Sequence, residues 1–499
     1  MKKDAIAVLD IGKTNKKIVL FDLDLNVLEI RKQAFPAGVQ GGLLVDQPDK
    51  VLKWFLITLS QLTSQYHIRA ISVTTHGAQV VFLKADGSFS APPLCYTNTA
   101  DKAFADEFYV KFGSREALHV QTLTPEIGHM VNLAKLIFFT QKKFPESITA
   151  TRHILPFPQY FVYKLTGRAC IEPTMLGCHS YLLDARTRGY SHLVDALNIK
   201  HLLPQTISNS WDSAGRVSRG ICRKYSLPED CIVTTGIHDS NSSLLPYLVT
   251  EEEDFVLNST GTWCVAMRPS GSTRLDQNQI GKTVFYNFDV FKKPVKTCIF
   301  PGGMEFEKYY EILRKIHGTA QQPEINEVLY AAILKQADTF ILPSIMEGTG
   351  IFPDQIARAI EKGETFLYHD IEENKHVPEF FKYMQIADAV LNISLAIQSA
   401  IAIEHTGYIC GNRVFIEGGF TGNIPYLSLL ASLLPGSDVY TSTMPEATAT
   451  GAAILALAAL AGRSPNKLAL RLHIETAECI PNLRLDCSGY KERYLQLLV

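Results

Sequence analysis

A short apolar run, Ala5 to Leu9, meets a polar turn from Asp10 to Lys17 and gives way to a second apolar run, Ile18 to Phe21. The pattern predicts a hairpin, with Val27 to Ile30 as a third strand after the turn-like Asp22 to Asn26. Past the midpoint the pattern recurs: Phe255 to Leu257 as strand, Asn258 to Thr262 as a small polar turn, Trp263 to Met267 as strand. Two such units half a chain apart predict two domains of similar plan. The acidic stretch Thr250 to Asp254 precedes the second unit, so the expected division is residues 1–245 and 246–499. Between the units the period changes. In Asp49 to Tyr66 the residues Val51, Leu52, Phe55, Leu56, Leu59 and Leu62 fall on one helical face, and Ile386 to His405 is periodic as well. Such helices alternate with strands, for example Ala70 to Thr74 and Arg413 to Glu417, which predicts α/β layering.

Length agrees with this division, because 499 residues exceed what a single small core organises. Lys plus Arg is 48 and Asp plus Glu is 50, a near-balance that gives no electrostatic reason to expect nucleic acid or an anionic membrane as partner. A small-molecule substrate is the better expectation. The run Ala452 to Ala461 is about half the length needed to span a bilayer and reads as a buried helix. The N-terminus carries no signal-peptide pattern. Ten cysteines are scattered without a Cys-x-x-Cys pair, so neither zinc nor a disulfide framework is expected, and reduced thiols in a cytoplasmic protein are.

The turns carry the candidate chemistry. In the first, Gly12 permits close backbone approach, while Thr14, Asn15 and backbone N–H groups can donate to phosphate oxygens. Asp10 stands at the strand end, where a carboxylate can hold Mg²⁺ directly or through water. A plain hairpin turn would look the same. The second turn, Ser259-Thr260-Gly261-Thr262, sets three hydroxyls around one glycine, and two such turns can close on one phosphate chain from opposite sides. Glu417-Gly418-Gly419-Phe420-Thr421-Gly422-Asn423 follows an apolar strand and precedes a helix expected from Pro425, a place where a nucleotide can lie against backbone. The small residues from Ala447 to Ala453 let a helix pack closely.

Gly236-Ile237-His238-Asp239 follows the apolar run Cys231 to Val233, at a change from strand to helix. Phosphorylation of an alcohol needs a carboxylate to accept the attacking hydroxyl's proton, and Asp239 is the candidate. On spacing alone, a helix cap is the commoner role for an Asp placed as Asp239 is.

Over nearly its whole length the chain resembles the FGGY carbohydrate kinases, which share their fold group with actin, the heat-shock chaperone ATPases and hexokinase. Asp10, Gly12, Thr14, Asn15 and Lys17 resemble the family's first phosphate motif, with Lys13 in place of its usual Thr. Asp239 matches the general base of the Gly-x-x-Asp motif, Ser259 to Thr262 the second phosphate turn, and Gly418, Gly419 and Asn423 the adenosine-side motif. The resemblance implies two actin/hexokinase-like domains around a central catalytic cleft, with ATP and Mg²⁺ as cofactors and a sugar as acceptor. Thr75-His76-Gly77-Ala78-Gln79 resembles the substrate-contacting turn, so His76, Gly77, Gln79 and His238 are expected at the sugar; Lys13, a departure from the motif, either adds a cation near the phosphates, the expectation here, or points to solvent. Dimerisation is an expectation from the resemblance alone.

The sugar side departs from the family. Tyr96 to Asp101 stands where Trp-x-Asp-x-Arg is usual, Gln159 where many members carry Asp, and Glu172 to His179 replaces a Thr-Asp-Tyr-Ser segment. Gly261-Thr262-Trp263 with His238-Asp239 looks closer to rhamnulose and fuculose kinases than to xylulose or glycerol kinases. A deoxyketose is therefore the first expectation, with a pentulose, a polyol, or a non-catalytic sugar-sensing role as alternatives.

Overall fold

The computed structural model describes every residue except 1, 14, 129, 252, 320, 347, 443, 445, 469–475, 480–484 and 499, and of 476–479 the backbone only. Its frame is a pair of seven-stranded mixed sheets. In the first, Val27–Ala34, Asn15–Phe21 and Lys3–Ile11 form an antiparallel meander, and Tyr66–Thr75 then runs parallel to Lys3–Ile11. Ile232–Thr234 and Ile237–His238 continue in parallel beside Tyr66–Thr75. In the second sheet Phe255–Thr260 pairs antiparallel with Cys264–Pro269 and parallel with Arg413–Gly418, which pairs parallel with Val439–Ser442. Each sheet thus combines a hairpin with a parallel neighbour, the recurrence the hydrophobic pattern predicts. The architecture is a two-domain α/β fold of the actin/hexokinase type.

Lys3–Ile11 lies in the middle of its sheet and is apolar on both faces. Ala5, Ala7, Leu9 and Ile11 join the core that buries the Pro48–Leu62 helix, whose buried face includes all six residues picked out by the helical period. Ile6 and Val8 face the opposite way, onto the Ala447–Ala461 helix. A helix from the second half of the chain therefore packs under the first sheet. It crosses the Asp239–Thr250 helix so closely that a Cβ on Gly451 would lie 1.7 Å from the Ser242 carbonyl oxygen. The expected division at 245/246 falls inside the Asp239–Thr250 helix, beside Pro246, so this helix connects the two sheets.

The polar turns are shorter than the sequence pattern suggests. Asp10 and Lys17 are paired strand residues, so the first strand runs on to Ile11 and the next begins at Asn15, and the second turn is residues 261–263. Backbone pairing continues through polar residues because the adjacent strands supply partners on either side. The Met384–His405 helix is long and apolar enough to cross a membrane, and Ala387 to Ile403 are buried in the second core. The nine cysteines whose side chains are described are free thiols.

Candidate active site

Both hairpin turns, and the ends of the parallel strands beside them, open on one cavity of about 710 Å³. Register brings them there. Ile11 pairs with Thr75, so His76 and Gly77 emerge beside the first turn, while Thr260 pairs with Gly418 beside the second. Of the residues expected at the site, Asp10, Gly12, Lys13, Asn15, Lys17, His76, Gly77, His238, Asp239, Ser259, Thr260, Gly261, Thr262 and Gly418 line this cavity. Thr14 lies outside the described residues.

Asp239 is the first residue of the Asp239–Thr250 helix, and His238 holds the N-cap position without a side-chain capping bond. The Asp239 Oδ1 accepts from the Ser240 N–H at 2.7 Å and lies 3.2 Å from His238 Nε2. Its carboxylate thus stabilises the helix start and also faces the cavity. Enclosure by the walls pushes its pKa up to about 6. Burial likewise pushes Asp10 up to about 7, opposed by Lys17 and reinforced by Asp239 and Glu446. Burial holds His76, His179 and His238 down to about 3, as neutral imidazoles. Asn241 Nδ2 lies 3.1 Å from His238 Nδ1; when it donates there, His238 Nε2 carries the proton and donates to Asp239.

The first turn is fastened by a residue the motif reading passed over. Lys16 is buried, and its Nζ donates to the Gly12 and Lys13 carbonyls at 2.9 and 2.7 Å. Lys17 spans the cleft to Glu446 Oε2 at 2.5 Å. Lys13 turns the other way. Its Nζ lies 3.6 Å from Asp46 Oδ2 and 5.1 Å from the centroid of Tyr96, on the wall with His76.

The second turn offers fewer free hydroxyls than its sequence suggests. Thr260 donates to the Glu417 carbonyl and accepts from the Phe420 N–H, so its hydroxyl ties two strand ends together. Gly418 has φ +90°, and a Cβ there would sit 2.0 Å from the Thr260 carbonyl oxygen. Gly419 and Asn423 do not line the cavity. Asn423 caps the Ile424–Leu433 helix at Tyr426 N and donates to Asn392, being drawn into the core by these bonds. Gln79 is also withdrawn: its backbone accepts from Phe157, which buries the side chain behind the wall.

Several lining residues escaped sequence reasoning. Ile127, Val131, Phe285 and Ile299 form an apolar patch with Ala78, edged by Tyr96 and Trp263, contributed by segments more than 200 positions apart. His179 lines the cavity too. The segment holding His179 was noticeable only as a departure from the family pattern. Its Glu172 is fully buried and caps the Pro173–Leu176 helix through Thr174 and Met175.

A cleft between two sheets, walled by paired hairpin turns with a carboxylate at a helix start, defines the phosphotransferase class within this fold group. Residues 5–246 match the N-terminal domain of the FGGY family of carbohydrate kinases, and residues 252–465 match the carbohydrate kinase FGGY C-terminal domain. The chain belongs to the FGGY family of carbohydrate kinases. It is 29% identical to a rhamnulokinase of Enterococcus faecalis over 198 residues, 39% of this chain and 38% of that one. It is 24% identical to an L-fuculokinase of Salmonella typhi over 278 residues, 54% of this chain and 58% of that one. The matched stretches thus span 38% and 58% of the lengths of these curated relatives. A solved carbohydrate kinase from Novosphingobium aromaticivorans superposes with a TM-score of 0.77 at 26% identity, covering 100% of this chain and 99% of that one. A xylulose kinase from Lactobacillus acidophilus superposes at 0.79 with 16% identity, covering 99% and 97%, a likeness of fold.

Proposed function

We propose that the protein is an ATP-dependent sugar kinase that transfers the γ-phosphate to a hydroxyl of a ketose. The observation that carries this reading is Asp239, enclosed at a helix start on the cavity that both hairpin turns share. The substrate hydroxyl gives its proton to Asp239 as the oxygen attacks phosphorus, and ADP leaves from the opposite side. Hydrogen bonding from His238 Nε2 orients the carboxylate. Backbone N–H groups of both turns, with Ser259, Thr262, Asn15 and Lys17, hold the phosphates.

A divalent cation fits the donor set: the Asp10 carboxyl is buried, and the carboxylates of Asp239 and Glu446 raise its pKa further, a repulsion that a cation relieves. Asp10 would hold Mg²⁺, which supplies charge neutralisation to the phosphates when bound.

For the acceptor, the apolar patch of Ile127, Val131, Phe285 and Ile299 beside His179 suits a sugar with a methyl terminus. A deoxyketose such as L-rhamnulose or L-fuculose is the proposed substrate, in keeping with the names of the curated relatives. ADP release across ketoses, deoxyketoses and polyols tests this directly, with a deoxyketose expected to give the highest kcat/KM. Asp239→Asn is expected to retain ATP binding and lower sugar-dependent kcat about 10²–10⁴-fold. Turnover near that of the parent protein removes Asp239 from the base's role.

A further inference from the structure

Cys178, His179 and His238 place one ligand atom each within 4.8 Å of the others, at the end of the cavity where His238 meets Asp239. We propose that these three residues form a three-ligand site for a soft divalent cation, Zn²⁺ above all, and that its binding switches phosphoryl transfer off. The consequence for turnover rests on the kinase reading; the binding itself does not.

The donor set is that of zinc: one thiolate and two imidazoles, with a fourth position open to water. Bond lengths of about 2.0–2.3 Å put neighbouring ligands of a tetrahedral ion roughly 3.3–3.8 Å apart. One edge already has that length, Cys178 Sγ to the His179 ring nitrogens at 3.8 Å. The other pairs among the three ligand atoms lie within 4.8 Å. Gly77 keeps the space clear, since a Cβ there would lie 2.3 Å from Cys178 Sγ and 2.8 Å from His238 Nε2.

Two further features fit a ligand role. His179 has φ +28°, a conformation that a residue with a side chain adopts at a cost. Asn241 Oδ1 is buried and accepts no hydrogen bond. Rotating that amide lets Oδ1 accept from His238 Nδ1–H, which fixes the other tautomer and frees the Nε2 lone pair for a metal. The Cys178 proton is released to solvent as the sulfur–metal bond forms, and no oxidant or reductant is required. With its Nε2 on the metal, His238 no longer donates to Asp239 Oδ1, and the neighbouring cation opposes transfer of a sugar hydroxyl's proton to that carboxylate.

Cobalt(II) titration of the chelator-stripped, full-length protein tests the site without reference to activity. The expected spectrum has a near-ultraviolet thiolate-to-cobalt charge-transfer band with the visible bands of tetrahedral cobalt, both abolished by Zn²⁺. Cys178→Ser, checked for folding by circular dichroism, is expected to lose the charge-transfer band, and His179→Gln to weaken cobalt binding on the order of 10–100-fold. If Cys178→Ser does not fold, the His179→Gln titration decides. Absence of the band at excess cobalt, or full affinity in His179→Gln, overturns the site, as does an unchanged band in folded Cys178→Ser. If the cobalt spectrum appears as expected but no sugar is phosphorylated with Zn²⁺ removed, the kinase reading fails while the metal site stands. If turnover is normal and unaffected by Zn²⁺ that saturates the site, the switch is overturned.

Discussion

One wall of the cleft is built largely from backbone and the other from side chains. On the wall proposed to hold the phosphates, here the phosphate-facing wall, Ser259 to Thr262, Gly418 and the first turn present small residues and N–H groups, held in place by Thr260, Lys16 and the strand pairing. On the facing wall, His76, Tyr96, His179, His238 and an apolar patch come from distant segments and meet only in the folded chain. A backbone-made surface suits a ligand common to many relatives, because phosphates are recognised by N–H groups and charge. A side-chain-made surface can change residue by residue without disturbing the strands beneath it. The departures from the family pattern other than Lys13 fall in segments that build or support the second wall.

The comparison breaks most visibly at Gly418. Its positive φ and the 2.0 Å approach of the Thr260 oxygen leave no room for a methyl group. Gly418→Ala is expected to cost about 2–5 kcal/mol, combining overpacking with backbone strain. Thermal denaturation should show the loss, and isothermal titration should show weakened ATP binding with a smaller change in sugar affinity. Equal damage to both ligands would mean that the walls are one mechanical unit.

A second test uses Glu417, on the phosphate-facing wall. Burial pushes its carboxyl up from 4.5 to about 7, with Ser243, Ser259 and Tyr247 opposing the shift. The folded protein therefore holds this proton more tightly than the unfolded chain does. The stability it contributes is fully present below about pH 4.5 and is lost as pH rises through about 7. At about 1.4 kcal/mol for each pKa unit the upper bound is roughly 3 kcal/mol. Glu417→Gln should flatten the fall in melting temperature between pH 5 and pH 8, and be the more stable protein at the alkaline end. A parallel fall in both proteins would assign the titration elsewhere.

The frame of the fold was legible because its signals are local. The Lys3–Ile11 and Asn15–Phe21 strands contain the continuous apolar runs Ala5 to Leu9 and Ile18 to Phe21, and the Pro48–Leu62 helix shows its buried face in its period. The phosphate-facing wall was legible for the same reason, since turn residues advertise their backbone. Placement of the Ala447–Ala461 helix beneath the first sheet was not, because small residues show that something approaches without saying what. The withdrawal of Asn423 and Gln79 was equally hidden: it depends on Asn392, Tyr426 and Phe157, partners fixed by the tertiary fold. Cysteine spacing argued against zinc, yet Cys178 and His179 meet His238 from 59 positions away through the fold. Spacing rules detect sites held on one loop and miss those assembled across a cavity.

Lys13 provides the finest test, because sequence and structure assign it to different walls. Its neighbours in the chain belong to a phosphate turn, so the motif alone predicts a cation for ATP. In the fold its Nζ lies 3.6 Å from Asp46 and over the ring of Tyr96, and forms no hydrogen bond among the described residues. A buried ammonium with spare donors beside His76 is available to a sugar hydroxyl. The Lys13 Nζ and Asp46 Oδ2 are both buried, so removing the ammonium also leaves a buried carboxylate without its cation, a stability loss that thermal denaturation reads separately from substrate affinity. Lys13→Thr should therefore raise the KM for the sugar about three- to tenfold, equivalent to roughly 0.6–1.4 kcal/mol, and leave ATP affinity unchanged. Initial-rate measurements with each substrate varied in turn separate the two. A rise in KM for ATP alone would return Lys13 to the phosphate-facing wall.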